Sequence, residues 1–219
     1  MDTQLLVKTY PKLYHMAEHG SWPKIKNLGL LSTSALLDLY EIRGSARYEI
    51  ESKQRRESVT IDHPKYGKAV IRDQKVLHTG ALEKLVDTMS AEEYYKLLNG
   101  KTFFWVRKER LLSLLNGRAY RGKTHDVLTI ETEGLVKKHY NEITLSPINS
   151  GAIFGSGRRG AHTFRRIKEY HYQEMVRKRR EDAVVELVVD YAVKDISEFT
   201  IRVEEWKEST SLSVVWKRD

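Results

Sequence analysis

The stretch Ala183-Val184-Val185-Glu186-Leu187-Val188-Val189 constrains the fold more than any other. It is of strand length, rich in β-branched residues and apolar almost throughout. Such a run reads as a central, buried strand rather than an edge. Its one polar residue, Glu186, shares a face with Val184 and Val188, while Val185, Leu187 and Val189 share the other. A carboxylate at that position is costly to bury unless it is paired or used. The bland readings are a salt bridge to a nearby arginine, or a register that leaves one face wet.

Strands and helices alternate along the rest of the chain. Leu13–Met16 reads as a short strand after Pro11. Ser21 then caps a helix with Trp22 and Pro23 in its first turn and Gly29 as its stop. Ser32 or Ser34 caps a second helix through Tyr40. Residues 43–80 are polar, and inside them Val59–Ile61 and Ala69–Ile71 flank a Pro/Gly turn, the pattern of a hairpin. Helices are expected over Ala81–Thr88 and over Ser90–Leu98, the latter opened by a Ser90/Glu93 capping box. Thr102–Val106 is the strongest strand of the first half. A helix follows over Arg107–Leu115, with Leu111, Leu112, Leu114 and Leu115 inward. Asp126–Glu131 and Glu142–Leu145 read as strands on either side of a helix at Gly134–Tyr140. Phe199–Glu204 and Thr210–Trp216 read as closing antiparallel strands. The simplest organisation is one α+β domain over residues 1–219 with an insertion near 43–80.

Composition narrows the chemistry. The 219 residues contain no cysteine, which excludes disulfide scaffolds, thiolate zinc sites and cysteine nucleophiles. No apolar run approaches a bilayer span, and the N-terminal residues lack the pattern of a secretory signal, so a cytoplasmic protein without a membrane partner is expected. The formal charge is +8. Its excess is concentrated between Arg158 and Arg180, where nine cationic side chains (Arg158, Arg159, Arg165, Arg166, Lys168, Arg177, Lys178, Arg179, Arg180) face only Glu169 and Glu174. A polyanion is the natural partner of such a segment, and an ordinary solvated surface is the bland alternative.

Three further stretches carry chemical meaning. His15-Met16-Ala17-Glu18-His19 matches H-x-x-E-H, which on a long helix would present two zinc ligands and a water-polarising carboxylate. Pro11, Gly20 and Pro23 leave little room for that helix, and no metal is expected. Phe103-Phe104-Trp105-Val106 runs into Arg107 and Arg110; aromatics in such a strand are usually core. The loop Ser146-Pro147-Ile148-Asn149-Ser150-Gly151, continuing to Gly155-Ser156-Gly157, offers hydroxyls and backbone N–H groups to a phosphate or ribose.

Together these pieces resemble a known family. Leu13-Tyr14-His15, a helix, and then Gly29-Leu30-Leu31-Ser32-Thr33 are similar to the opening of NAD-dependent ADP-ribosyltransferases, nearest to the DarT-like toxins that modify nucleic acid. The aromatic strand with trailing arginines and the late strand bearing Glu186 are similar to that family's middle and catalytic strands. The chain also resembles RNA-modifying ADP-ribosyltransferase toxins of antiphage systems. The resemblance implies a split, mainly antiparallel sheet with flanking helices around an NAD cleft. It implies Glu186 as the catalytic carboxylate, with Arg107 or Arg110 as the functional arginine. It also implies NAD contacts from His15, Tyr14, Ser32 and Thr33, from Phe104 and Trp105 (with Phe103 beside them), and from Ser146, Asn149 and Ser150.

The expected activity is transfer of ADP-ribose from NAD to a nucleobase of single-stranded nucleic acid, RNA favoured over DNA, by a toxin held in check by an antitoxin protein. The basic cluster would guide the strand through phosphate contacts. The alternatives are an ADP-ribosyltransferase acting on protein and a non-catalytic RNA- or DNA-binding module.

Overall fold

The computed structural model describes residues 1–153 and 157–219. Asp2 caps the first helix by accepting a hydrogen bond from Leu5 N at 2.8 Å, and α1 runs over Thr3–Thr9. Strand β1 follows Pro11 and spans Lys12–Glu18, longer than Leu13–Met16. The H-x-x-E-H residues therefore lie on a strand, where His15 and Glu18 project to opposite faces, and the helical zinc arrangement is absent. Helix α2 spans Trp22–Leu28, with Pro23 in its first turn and Gly29 as its stop. Ser21 does not cap it. Its hydroxyl donates instead to Glu18 O, and the Asp126 carboxylate accepts from Gly20 N and Trp22 N, each at 3.1 Å.

Strand β2 (Leu30–Leu31) leads into α3 (Thr33–Leu39), and Ser32 is its cap, accepting from Ala35 N at 3.1 Å. The polar segment contains a helix that periodicity does not reveal, α4 (Gly44–Glu51), which buries only Ile50 and is stitched by an Arg47–Glu51 pair. The hairpin is present as β3 (Val59–Ile61) and β4 (Ala69–Ile71). Helix α5 is only Thr79–Leu82, whereas α6 (Ala91–Asn99) carries the Ser90/Glu93 capping box in full.

Strand β5 (Lys101–Trp105) and α7 (Lys108–Leu115) follow, with Leu111 and Leu115 fully buried and Leu112 and Leu114 packed partly against the same cluster. Next come β6 (Thr124–Glu131), α8 (Thr132–His139), β7 (Ile143–Ser146) and the two-residue β8 (Arg165–Arg166). The basic segment forms α9 (Tyr172–Arg179), which has no fully buried residue. The chain closes with β9 (Glu186–Asp190), β10 (Ala192–Val193), α10 (Ile196–Phe199), β11 (Thr200–Lys207) and β12 (Thr210–Lys217).

Eight strands form one antiparallel sheet in the order β12-β11-β6-β1-β5-β9-β7-β8. β9 is interior, flanked by β5 and β7, as its apolar composition requires. The middle of the sheet decides the architecture. β1 follows β6 through the whole register from Lys12↔Glu131 to Glu18↔His125, but it meets β5 at the single pair Tyr14↔Trp105. The two four-stranded halves therefore cross at one residue pair and are not zipped along an edge. One face of the sheet is sealed by a core containing Leu13, Phe104, Leu128, Ile130, Leu145 and Leu187. Each such burial contributes about 1.5–3 kcal/mol. No helix among the described residues is long and apolar enough to cross a membrane.

Candidate functional site

Where β1 and β5 part, they leave a cavity of about 500 Å³, within the range of about 300–1,000 Å³ typical of small-molecule sites. Its walls come from the β1–α2 turn, the Gly29–Thr33 stretch, the open side of β5, the Asn149–Gly151 loop and Glu186. The remaining wall is the polar segment, through Arg55 and residues 68–74. What the sequence marks as an insertion is thus a side of the cleft. Together with α3 it forms a small core of Leu37, Tyr40, Ile50, Ile61 and Ile71.

Glu186 sits at the first position of β9, opposite Trp105 on one side and Ser146 on the other. Only 3% of it is exposed. Neither bland reading of this carboxylate describes it, because its face is dry and no arginine bonds to it. Its partner is Ser150, whose hydroxyl donates at 2.7 Å and whose backbone N–H donates at 3.2 Å. Burial pushes its pKa from 4.5 up to about 7, and the two Ser150 bonds and the positive field of Arg159 limit the rise. A carboxyl held near neutrality on a rigid strand can hold a hydroxyl and face a developing cation. Removing a hydrogen bond to a charged group costs about 1.5–3 kcal/mol. Ser150→Ala should therefore move the acidic limb of the pH–activity profile up by about one pH unit or more. An unmoved limb would show that the hydroxyl does not stabilise the ionised form.

His15 enters the same cavity from β1. Its Nδ1 lies 2.8 Å from Phe103 O. A carbonyl only accepts, so Nδ1–H donates and the neutral ring keeps Nε2 as an acceptor. Desolvation pulls its pKa down to about 4, so the ring is neutral at physiological pH. The imidazole also packs on the Phe104 ring at 5.8 Å.

Cations and aromatics complete the lining. Arg72 donates to Met16 O at 2.9 Å and stacks on the Tyr120 ring at 5.0 Å, tying the β3–β4 segment across the cleft to β1. Arg55 is 7% exposed and donates to Arg72 O at 3.0 Å. Tyr40 is buried against the cavity, and its hydroxyl has no partner among the described residues. A buried hydroxyl left without a partner costs about 1–3 kcal/mol.

The fold therefore brings together His15, Ser32, Thr33, Phe103, Trp105, Asn149, Ser150 and Glu186. Other residues expected there are elsewhere. Arg107, just before α7, is ion-paired with Glu181 at 2.8 Å, and Arg110, on α7, with Asp182; both lie outside the cavity, drawn toward the 181–182 turn. Tyr14 lines a separate groove and packs, with Trp105, against the cluster of Met16 and Leu111. Phe104 is fully buried in the core beneath His15. Ser146 is also buried, its hydroxyl bonded to the Ile148 backbone. Arg159 does not belong to a surface cluster. It is 2% exposed and donates to Gly157 O and Ala152 O, bracing the loop behind Glu186. Arg166 pairs with Asp190 at 3.0 Å. Arg158, Arg165, Lys168 and Arg177–Arg180 are exposed or partly so. Gly155-Ser156 lies outside the described residues.

Arg55, Arg72, Tyr40 and Asp126 were not legible as site residues. Asp126 reads in the sequence as the start of a strand, where a charged residue marks a boundary, yet it lies within β6, is 1% exposed and secures the β1–α2 turn that lines the cavity. No curated protein and no solved structure matches the chain. A family profile described as a family of unknown function, DUF7002, matches residues 11–200. That match covers most of the chain, including β1, the cleft walls and Glu186, and the chain belongs to the DUF7002 family.

Proposed function

We propose that the cleft binds NAD and that the chain is an ADP-ribosyltransferase acting on a nucleobase of single-stranded nucleic acid, RNA in preference to DNA. The observation that carries this reading is the convergence of His15 and Glu186, 171 residues apart in sequence, on one cavity at the crossing of two half-sheets. Their chemistries are complementary. Neutral His15 offers an acceptor to a ribose hydroxyl, and Glu186 offers a carboxylate to the 2′-hydroxyl beside the bond that breaks.

In this mechanism the ribose C1′–nicotinamide bond breaks with its electron pair leaving on nicotinamide. The oxocarbenium-like centre is stabilised by ionised Glu186. A nucleobase nitrogen or oxygen then bonds to C1′ and releases its proton. Phe103 and Trp105 provide flat apolar surface for the nicotinamide. Arg55 and Arg72 provide positive charge where a pyrophosphate can lie. The net charge of +8 favours a polyanionic acceptor.

Labelled NAD incubated separately with RNA, single-stranded DNA, duplex DNA and mixed protein tests the whole reading. Label is expected in RNA first and absent with Glu186→Gln. Label confined to protein would overturn the acceptor class, and no consumption of NAD in any arm would overturn the activity.

A further inference from the structure

The crossing at Tyr14↔Trp105 has two open sides. Trp105 lines the cavity on one. On the other, the chain leading into β1 and the chain leaving β5 diverge again, and α9 lies across the gap. They enclose a second groove of about 710 Å³. We propose that this groove is the acceptor channel, binding single-stranded nucleic acid with bases stacked on Tyr14 and Tyr172. The proposal rests on the transferase reading for its biological role, but its binding chemistry stands on the groove alone.

Three observations support it. First, the groove interleaves rings and cations. Tyr14 and Tyr172 are partly exposed, and Lys12 and Arg180 are exposed beside them. Stacking platforms set in a positive groove are the general solution for strands whose bases are unpaired, because every base has a π-face. Second, its charge is available. Four cations (Lys12, Arg107, Lys108 and Arg180) and two carboxylates (Glu109 and Glu181) line it; both carboxylates pair with Arg107, at 3.3 and 2.8 Å, whereas neither Lys12 nor Arg180 has an acidic partner within ion-pair distance among the described residues. Third, α9 turns Tyr172 and Val176, one helical turn apart, to the groove, and Arg180, just past its C-terminal end, joins them there. The neighbouring Arg177 and Lys178 stay exposed outside it, so the basic run forms a rim and not the floor. Arg180 also has φ +51, a conformation that non-glycine residues rarely hold without a local demand.

The placement explains how an acceptor would reach the chemistry. Tyr14 and Trp105 are direct register partners, so groove and cavity are separated by one residue pair. A strand lying on Tyr14 would hold its unpaired bases beside the residue pair that borders the cavity. A duplex cannot do this, since its bases are already stacked and paired.

The test uses the full chain and end-labelled 15-nucleotide oligouridine RNA, the same length of oligothymidine DNA, and a duplex, read by fluorescence anisotropy. Tyr172→Ala should weaken single-strand binding about tenfold, the scale of one lost base–aromatic contact. Tyr172→Phe should restore it, which separates ring stacking from mere folding. Lys12→Glu should weaken binding and flatten its salt dependence. None of the three should alter acceptor-independent release of nicotinamide from NAD. A 4-thiouridine oligonucleotide should crosslink to Tyr14 or Tyr172. Wild-type affinity in both Tyr172→Ala and Lys12→Glu would overturn the proposal, as would tighter binding of duplex or crosslinks confined to the outer face of α9. If the chain binds single strands through these residues but never consumes NAD, the groove stands and the transferase reading falls. If Glu186-dependent NAD cleavage occurs and no oligonucleotide is retained, the groove falls and the transferase reading stands.

Discussion

On the transferase reading, Glu186→Gln should sharply slow nicotinamide release from NAD and, at the same time, stabilise the protein at alkaline pH. Both effects come from one burial. The carboxyl is raised from 4.5 to about 7 because its ionised form is desolvated on β9. The sign follows from linkage. A carboxyl whose folded pKa lies above its unfolded value favours the native state fully below about pH 4.5. That advantage is lost as pH rises through about 7. At pH 8 the ionised side chain therefore costs the fold about 3 kcal/mol relative to acid conditions. Glutamine cannot ionise and keeps an oxygen for the Ser150 donors, although its amide must find a new partner. A gain of about 2–3 kcal/mol at pH 8 is expected, roughly 4–12 °C in Tm for a chain of this size. The gain should shrink toward zero below pH 4.5. Turnover should fall by about two to three orders of magnitude, the usual effect of losing a group that stabilises transition-state charge. Melting curves from pH 4 to 9 and nicotinamide release provide the two readouts. Retained turnover would remove Glu186 from the mechanism. A stability difference independent of pH would show that the carboxyl is not the desolvated group argued here.

Gly29→Ala should be the most damaging single-methyl change at the cleft. Gly29 holds φ +91, and an added Cβ would lie 2.4 Å from Lys194 Cα and 2.9 Å from Lys194 O. Neither backbone can retreat cheaply, because the next residues are locked in register as Leu30↔Val193 and Leu31↔Ala192. Left-handed strain and overpacking together cost roughly 2–4 kcal/mol, so a fall in Tm of about 5–15 °C is expected. The stretch Gly29–Thr33 also lines the cavity, so KM for NAD should rise ahead of any change in kcat at permissive temperature. A variant melting within about 2 °C of the wild type would contradict the packing account.

Local chemistry was readable along much of the chain. The β-branched run marked β9, the Ser90/Glu93 box marked α6, and the Pro/Gly turn marked the β3–β4 hairpin, each through interactions spanning a few residues. α4 escaped because a helix that buries only Ile50 leaves almost no apolar period. Ser21 was misread as a cap because the group that serves α2 is Asp126, more than a hundred residues away. The arginines after β5 lie outside the cavity for a related reason. Helical phase could not choose between them, and ion pairs with Glu181 and Asp182 draw both away from the cavity.

The amino-acid order by itself determined that Glu186 would be carried on a buried strand, that His15 would sit on an early one, and that a basic stretch would precede the first of these. Periodicity and charge are properties of neighbouring residues, so they can be read in one dimension. Only the tertiary structure decided that β1 and β5 touch at a single pair, that the polar segment closes one side of the resulting cavity, and that Arg159 is a buried brace and not a surface contact. Those outcomes depend on strand register and on contacts between distant segments, and register is set by how whole faces pack against one another rather than by any local preference.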